Sequence, residues 1–191
     1  HGAEKTNAEY PAALWDYYSR NRAYDAQYFS AHSGRWLLEF VNRHVPLAGR
    51  RVLDFGCGPG FMLEHLLRDD IPCLGLEFSR GSVERLRSRF GTHSRFLGAI
   101  EAQGLPVELP DGSVDAILMV EVIEHLLPDD VAPVLREVRR LLVPGRKPRS
   151  PPLLPGPRRL RKARRMPPPW RPRKIPSCLH SRRWALTTTT A

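Results

Sequence analysis

The chain has 191 residues, 41% of them hydrophobic and 26% charged, with four Trp and a net charge of +10. That is enough for one domain with a core of its own, while no run approaches the ~18 uninterrupted apolar residues of a membrane span and no basic segment leads into an apolar one as in a secretory leader. Three cysteines, Cys57, Cys73 and Cys178, have no metal spacing, and their odd count argues against a disulfide framework and for a reducing cytoplasm.

Residues 10–31 carry Tyr10, Trp15, Tyr17, Tyr18, Tyr24, Tyr28 and Phe29 among polar residues, a pattern of short helices packed over a core edge. After Ser33, the residues Trp36, Leu37, Phe40, Val41 and Val45 recur at helical spacing, and Pro46 ends the run. A first strand, 51–55, ends in glycines, and a helix resumes from Phe61 through Met62, Leu63, Leu66 and Leu67. A second strand, 73–77, precedes a helix around Val83 and Leu86. A weaker strand over 95–98 follows, then an almost wholly apolar fourth over 114–120, as suits a strand covered on both faces. A helix over 131–142 carries Val134, Leu135, Val138, Leu141 and Leu142 on one side and stops at Pro144-Gly145. Strands alternating with helices of this length imply right-handed crossovers, hence an α/β fold of the Rossmann-like, doubly wound parallel kind.

The positive charge is not spread along this pattern. Residues 1–145 carry 16 Lys+Arg against all 20 acids, a net −4; residues 146–191 carry 14 basic residues, no acid and ten Pro. Pro breaks helices and removes ladder donors, so the second stretch is expected to be disordered, or a shifted reading of the same gene that leaves the fold incomplete after the fourth strand. The division is therefore a partial α/β domain over 1–145 and a Pro/Arg-rich tail over 146–191. Such a tail can meet nucleic-acid phosphates, but it lacks the interleaved aromatics of a stacking platform.

The strongest motif is Val52-Leu-Asp-Phe-Gly-Cys-Gly-Pro-Gly60, between a strand and a helix. Glycines let the chain turn tightly at the strand's carboxyl end and let a ligand approach bare main chain beside the N–H groups of the next helix. A dinucleotide fingerprint would place its third glycine at Phe61; the spacing here is G-x-G-x-G, preceded by Asp54. Glu77 ends the second strand, where a carboxylate can accept hydrogen bonds from both hydroxyls of a ribose. Glu121, Glu124 and His125 form an E-x-x-E-H group after the fourth strand; on a helix, these positions share one face and can converge on a cation. The alternative for Glu124 and His125 is structural hydrogen bonding. His32, His44, His65 and His93 stand singly, and Cys57 shows no activating base that would make it a nucleophile.

Taken in order, the motif at Val52–Gly60, Gly75-Leu-Glu-Phe-Ser79, Leu105-Pro106, Pro110-Asp-Gly-Ser-Val-Asp-Ala-Ile117, Glu121-Val-Ile-Glu-His-Leu126 and Leu142-Val-Pro-Gly145 resemble the class I S-adenosylmethionine-dependent methyltransferases, in particular the ubiquinone-pathway O-methyltransferase type. The resemblance implies S-adenosylmethionine as cofactor, with Asp54, Gly56, Cys57, Gly58 and Gly60 at its methionine part, Glu77 at the ribose, Phe78, Ile100 and Glu101 at the adenine, and Val120 beside the methyl. It implies Glu121 or His125 as the base and a small-molecule acceptor. Where relatives have an acid after the third strand this chain has Ala99. Some members, and the small-RNA 3′-terminal 2′-O-methyltransferases, use a group like Glu121, Glu124 and His125 for a divalent metal, here Mg²⁺ or Zn²⁺. Two other readings stand beside this one: a non-catalytic product that keeps only the cofactor lobe, and a basic-tailed nucleic-acid-binding module.

Overall fold

The structure is a computed structural model that describes residues 16–144; the tail over 146–191, and everything expected of it, lies outside the described residues. Four strands, β1 (Val52–Phe55), β2 (Cys73–Glu77), β3 (Phe96–Glu101) and β4 (Ala116–Leu118), form one parallel sheet in the order β3-β2-β1-β4. The helices are α1 (Phe29–His44), α2 (Phe61–Arg68), α3 (Arg80–Phe90) and α4 (Pro128–Leu141). A helical turn over 16–20 and a 3₁₀ turn over Arg22–Gln27 precede α1. No helix among the described residues is long and apolar enough to cross a membrane.

The sheet separates two apolar clusters. One joins Val52, Cys73, Ala99 and Leu118 to Leu38 of α1, Met62, Leu63 and Leu66 of α2, and Val83, Leu86 and Phe90 of α3. The other joins Leu53, Phe55, Leu74 and Leu76 to Val134 and Leu141 of α4 and to Ala102 and Val107. Alternate residues of each strand thus serve opposite clusters, which is why β1 and β2 are buried along their whole length.

Several elements differ from expectation, each for a local reason. Helix α1 starts at Phe29, not after Ser33, and Tyr28 offers it no side-chain cap. Its first N–H instead donates to Glu121 Oε2 at 3.0 Å, so an orphan donor is satisfied from a distant loop. Its inward stripe is Leu37, Leu38, Val41 and Val45, while Trp36 and Phe40 stack on each other outside, 54% and 48% exposed. Gly34 decides this register: a Cβ there would lie 2.7 Å from His65 Cδ2 of α2. Strand β3 runs on through Ala99 and Ile100 to Glu101, which pairs with Glu77. Strand β4 has only three laddered residues, paired to Val52–Asp54, while Val114 bridges separately to Leu142. Helix α4 begins three residues earlier than expected, with Pro128 at its first turn and Asp129 and Asp130 beside it, where missing donors and negative charge are both tolerated.

Candidate functional site

The site is built where β1, β2 and β3 end together. Strand β1 passes into Gly56, whose N–H donates to Leu76 O (2.8 Å), and the N–H of Cys57 donates to the same oxygen (3.1 Å). The loop then turns through Gly58 and Gly60 at φ +49° and +87°. Gly60 needs both properties of glycine: its left-handed backbone, and the lack of a Cβ, which would stand 2.3 Å from Leu86 Cδ2 and 3.0 Å from Phe90 Cε2. Helix α2 follows directly, with no side chain capping its first turn.

Glu77 ties this loop to β2. Its Oε2 accepts the Gly58 N–H at 2.8 Å, and its Oε1 accepts the N–H groups of Phe78 (2.8 Å) and Ser79 (3.2 Å). Burial raises its pKa above the usual carboxylate value, and the three N–H donors partly oppose that. Asp54 is 2% exposed, and its Oδ2 is buried with no hydrogen-bond partner among the described residues. Burial and then the Glu77 carboxylate push it up to about 7. The same burial, with Asp54 and Glu77, holds the Cys57 thiol well above its ordinary value, so it is protonated at neutral pH and no nucleophile.

Of the expected residues, the structure gathers Asp54, the Gly56–Gly60 loop, Glu77 and Glu101 at adjacent strand ends. Glu101 sits beside Glu77 in the strand register and accepts from Gln103 Nε2 at 2.8 Å. The acid missing at Ala99 is therefore present two residues later, because β3 is longer than its apolar residues indicate. Phe78 and Ile100 pack partly buried on one face of the sheet, and Val120 on the other.

The E-x-x-E-H group does not form the expected helical face. Glu121 has a left-handed backbone (φ +57°), and only Ile123–His125 make a 3₁₀ turn. Among the described residues no three His, Cys, Asp or Glu side chains gather closely enough to hold a metal ion. Glu121, Glu124 and His125 as arranged do not fit the expected divalent ion. Glu121 itself is exposed, and partial desolvation of its carboxylate raises its pKa against the pull of the Phe29 N–H.

Sequence reasoning read the aromatics of residues 10–31 as packing and missed what Tyr28 does. A Cβ on Gly58 would lie 3.3 Å from Tyr28 Cε1, and the tyrosine ring also meets Phe61 at 5.6 Å. Burial first and Glu77 second push its hydroxyl up to about 12. The segment leading to it is moored on α3: Asp16 Oδ1 accepts the Ser79 hydroxyl and the Gly81 N–H, and Asp25 takes Arg85 in a two-pronged ion pair at 2.9 and 2.6 Å. No local motif announces contacts between residues 60 apart.

Residues 53–147 match the family model described as a methyltransferase domain. The chain is 31% identical over 110 residues to a ubiquinone biosynthesis O-methyltransferase of Chromobacterium violaceum, covering 56% of this chain and 46% of that one. It is 34% identical over 110 residues to the protein of the same name from Ralstonia nicotianae, covering 56% and 45%. The chain thus spans just under half the length of these curated relatives. Among solved structures, phosphoethanolamine N-methyltransferase 1 of Haemonchus contortus, in complex with phosphoethanolamine and S-adenosylhomocysteine, superposes with a TM-score of 0.59 at 18% identity, over 74% of this chain and 31% of that one. That likeness is one of fold.

Proposed function

The chain belongs to the methyltransferase-domain family through residues 53–147, and on that premise we propose that it transfers a methyl group from S-adenosylmethionine to a hydroxyl of a small-molecule acceptor. The observation that carries this reading is the placing of Asp54, the glycine loop and Glu77 on neighbouring strand ends, with Gly58 joined to Glu77. The residues suit the cofactor: the buried, partnerless Asp54 Oδ2 is an acceptor without a donor, and a carboxylate with four acceptor positions and three N–H donors, as at Glu77, has room for a hydroxyl.

When bound, S-adenosylmethionine supplies a methyl on a sulfonium that leaves as a neutral thioether. The chain's own part is to orient the reactants, exclude water and take the acceptor's proton. Asp54 and the loop from Gly56 through Cys57, Gly58 and Gly60 hold the methionine end, Glu77 the ribose, and Phe78, Ile100 and Glu101 the adenine. Val120 walls the space beside the methyl. Glu121 or His125 accepts the proton. The raised pKa of Glu121 favours that role, since it brings the carboxylate's basicity closer to neutral pH.

Isothermal titration tests the reading: S-adenosylmethionine and S-adenosylhomocysteine bind and NAD does not. Glu77→Ala weakens binding by about 1–3 kcal/mol, the scale for a buried polar group left unmatched. Binding of NAD, or unchanged affinity in the variant, refutes it.

A further inference from the structure

We infer that Asp54 carries a proton in the ligand-free protein and releases it when a cationic ligand settles against the loop, so that S-adenosylmethionine binding is coupled to proton release. This rests on the reading above and adds a regulation of the same site.

Asp54 pairs with Gly75 and Val52 with Cys73, so Asp54, Cys73, Gly75 and Glu77 lie on one face of the sheet. Two carboxyls, 2% and 8% exposed, therefore occupy one buried surface. Like charges so placed disfavour double ionisation, and the better solvated group keeps its charge. Glu77 has three N–H donors, whereas Asp54 Oδ2 has none. The proton therefore rests on Asp54.

The surroundings offer it no compensation. The loop contributes the Cys57 thiol and β2 the Cys73 thiol, both held protonated by burial. Helices α2 and α3 approach this face through Leu63 and Leu86, beside Gly75. Across the loop stands the Tyr28 hydroxyl, also neutral, and Asp16 adds negative charge near Glu77. The guanidinium acting on Tyr28 is that of Arg85, which is already paired with Asp25. Burial and Glu77 together hold the Asp54 carboxyl near 7, inside the working range of a cell.

S-adenosylmethionine brings a sulfonium and an α-ammonium into this surface. A cation beside Asp54 favours its ionised form, so the proton passes to solvent and the ligand's charge replaces it. The affinity then falls as pH drops below about 7, by up to tenfold per pH unit.

The test is isothermal titration of the full chain with S-adenosylmethionine at pH 6 and pH 8, each in two buffers of different ionisation enthalpy. The expected result is release of close to one proton per ligand at pH 6 and little at pH 8, with at least a severalfold weaker affinity at pH 6. Asp54→Asn binds without that release, and adenosine, which has neither cation, binds the wild type without it. Infrared difference spectra of the wild type show a protonated-carboxyl band lost on adding S-adenosylmethionine, a readout independent of how the variant folds. Binding at pH 6 without proton release, equal release in Asp54→Asn or with adenosine, or no change in the carboxyl band overturns the inference and leaves the proposed function standing. Absence of S-adenosylmethionine binding at any pH overturns both.

Discussion

Replacing Gly60 with Ala isolates what the glycine loop requires of its packing, because Gly49 provides an internal control. Both glycines have left-handed backbones, φ +87° and +70°, so an added Cβ strains each by about 1–2 kcal/mol. At Gly49 nothing lies within 4 Å of the new atom. At Gly60 it would stand 2.3 Å from Leu86 Cδ2, and Leu86 is wholly buried with Phe90 against the same point, so the leucine has no solvent to swing into. Overpacking of a closed core adds about 1–3 kcal/mol. Gly49→Ala is thus expected to lose about 1–2 kcal/mol of unfolding free energy and Gly60→Ala about 2–5 kcal/mol, measured by denaturant titration of both variants at constant m-value. Equal losses would show that backbone strain alone sets the requirement and that the contact with α3 is slack.

Asp54→Asn is expected to raise stability at pH 8 and not at pH 4. The native carboxyl is held up to about 7 against an ordinary 3.8, so the wild type loses stability as pH rises through that interval, by no more than about 4 kcal/mol, and a flat difference between the two unfolding curves argues against a costly buried carboxyl. Arg140 bonds both oxygens of the buried Glu137, Asp111 and the carbonyls of Val107 and Leu109. Arg140→Met therefore costs about 3–5 kcal/mol by leaving a buried charge unpaired, read as a lowered Tm. Glu137 is held below its ordinary 4.5, so its contribution is whole above that pH and is lost as pH falls beneath it; a variant whose deficit is the same at pH 3.5 and pH 7 contradicts this. Asp25→Ala releases Arg85 and speeds tryptic cleavage at Arg20 and Arg22 severalfold, whereas an unchanged rate means that Asp16 suffices to hold the segment.

The parts of the fold legible in the sequence are those whose cause is local. Strands β1 and β2 are short apolar runs covered on both faces and stopped by a glycine and an acid, and they fall within a residue of their expected bounds. The far end of strand β3 was hidden because Glu101 lacks strand character of its own; pairing with β2 carries the strand past Gly98, at φ +131°, to Glu101. Strand β4 was overdrawn for the opposite reason, since apolar content reports burial, whereas a ladder needs a partner. Trp36 and Phe40 attracted the helical stripe by their size, yet a small residue, Gly34, sets which side of α1 faces α2. The glycine loop with its two acids was readable because main-chain geometry demands those residue types. The left-handed Glu121 and the docking of Asp16, Asp25 and Tyr28 were not, because each depends on a group far away in the chain.

The bond from Gly58 to Glu77 also has an entropic consequence. Four of the five loop residues over 56–60, Gly56, Cys57, Gly58 and Gly60, are held by hydrogen bonds to β2 or to one another in the protein's own structure, so a ligand meets a surface that is already ordered. Ordering a free backbone costs about 1–2 kcal/mol per residue, and preorganisation moves that cost from association to folding. A substitution at Glu77 therefore removes the proposed ligand contact and loosens the loop together. Its signature in calorimetry is a more unfavourable binding entropy as well as a lost enthalpy, and the tightness of the site is in part a property of the fold before any ligand arrives.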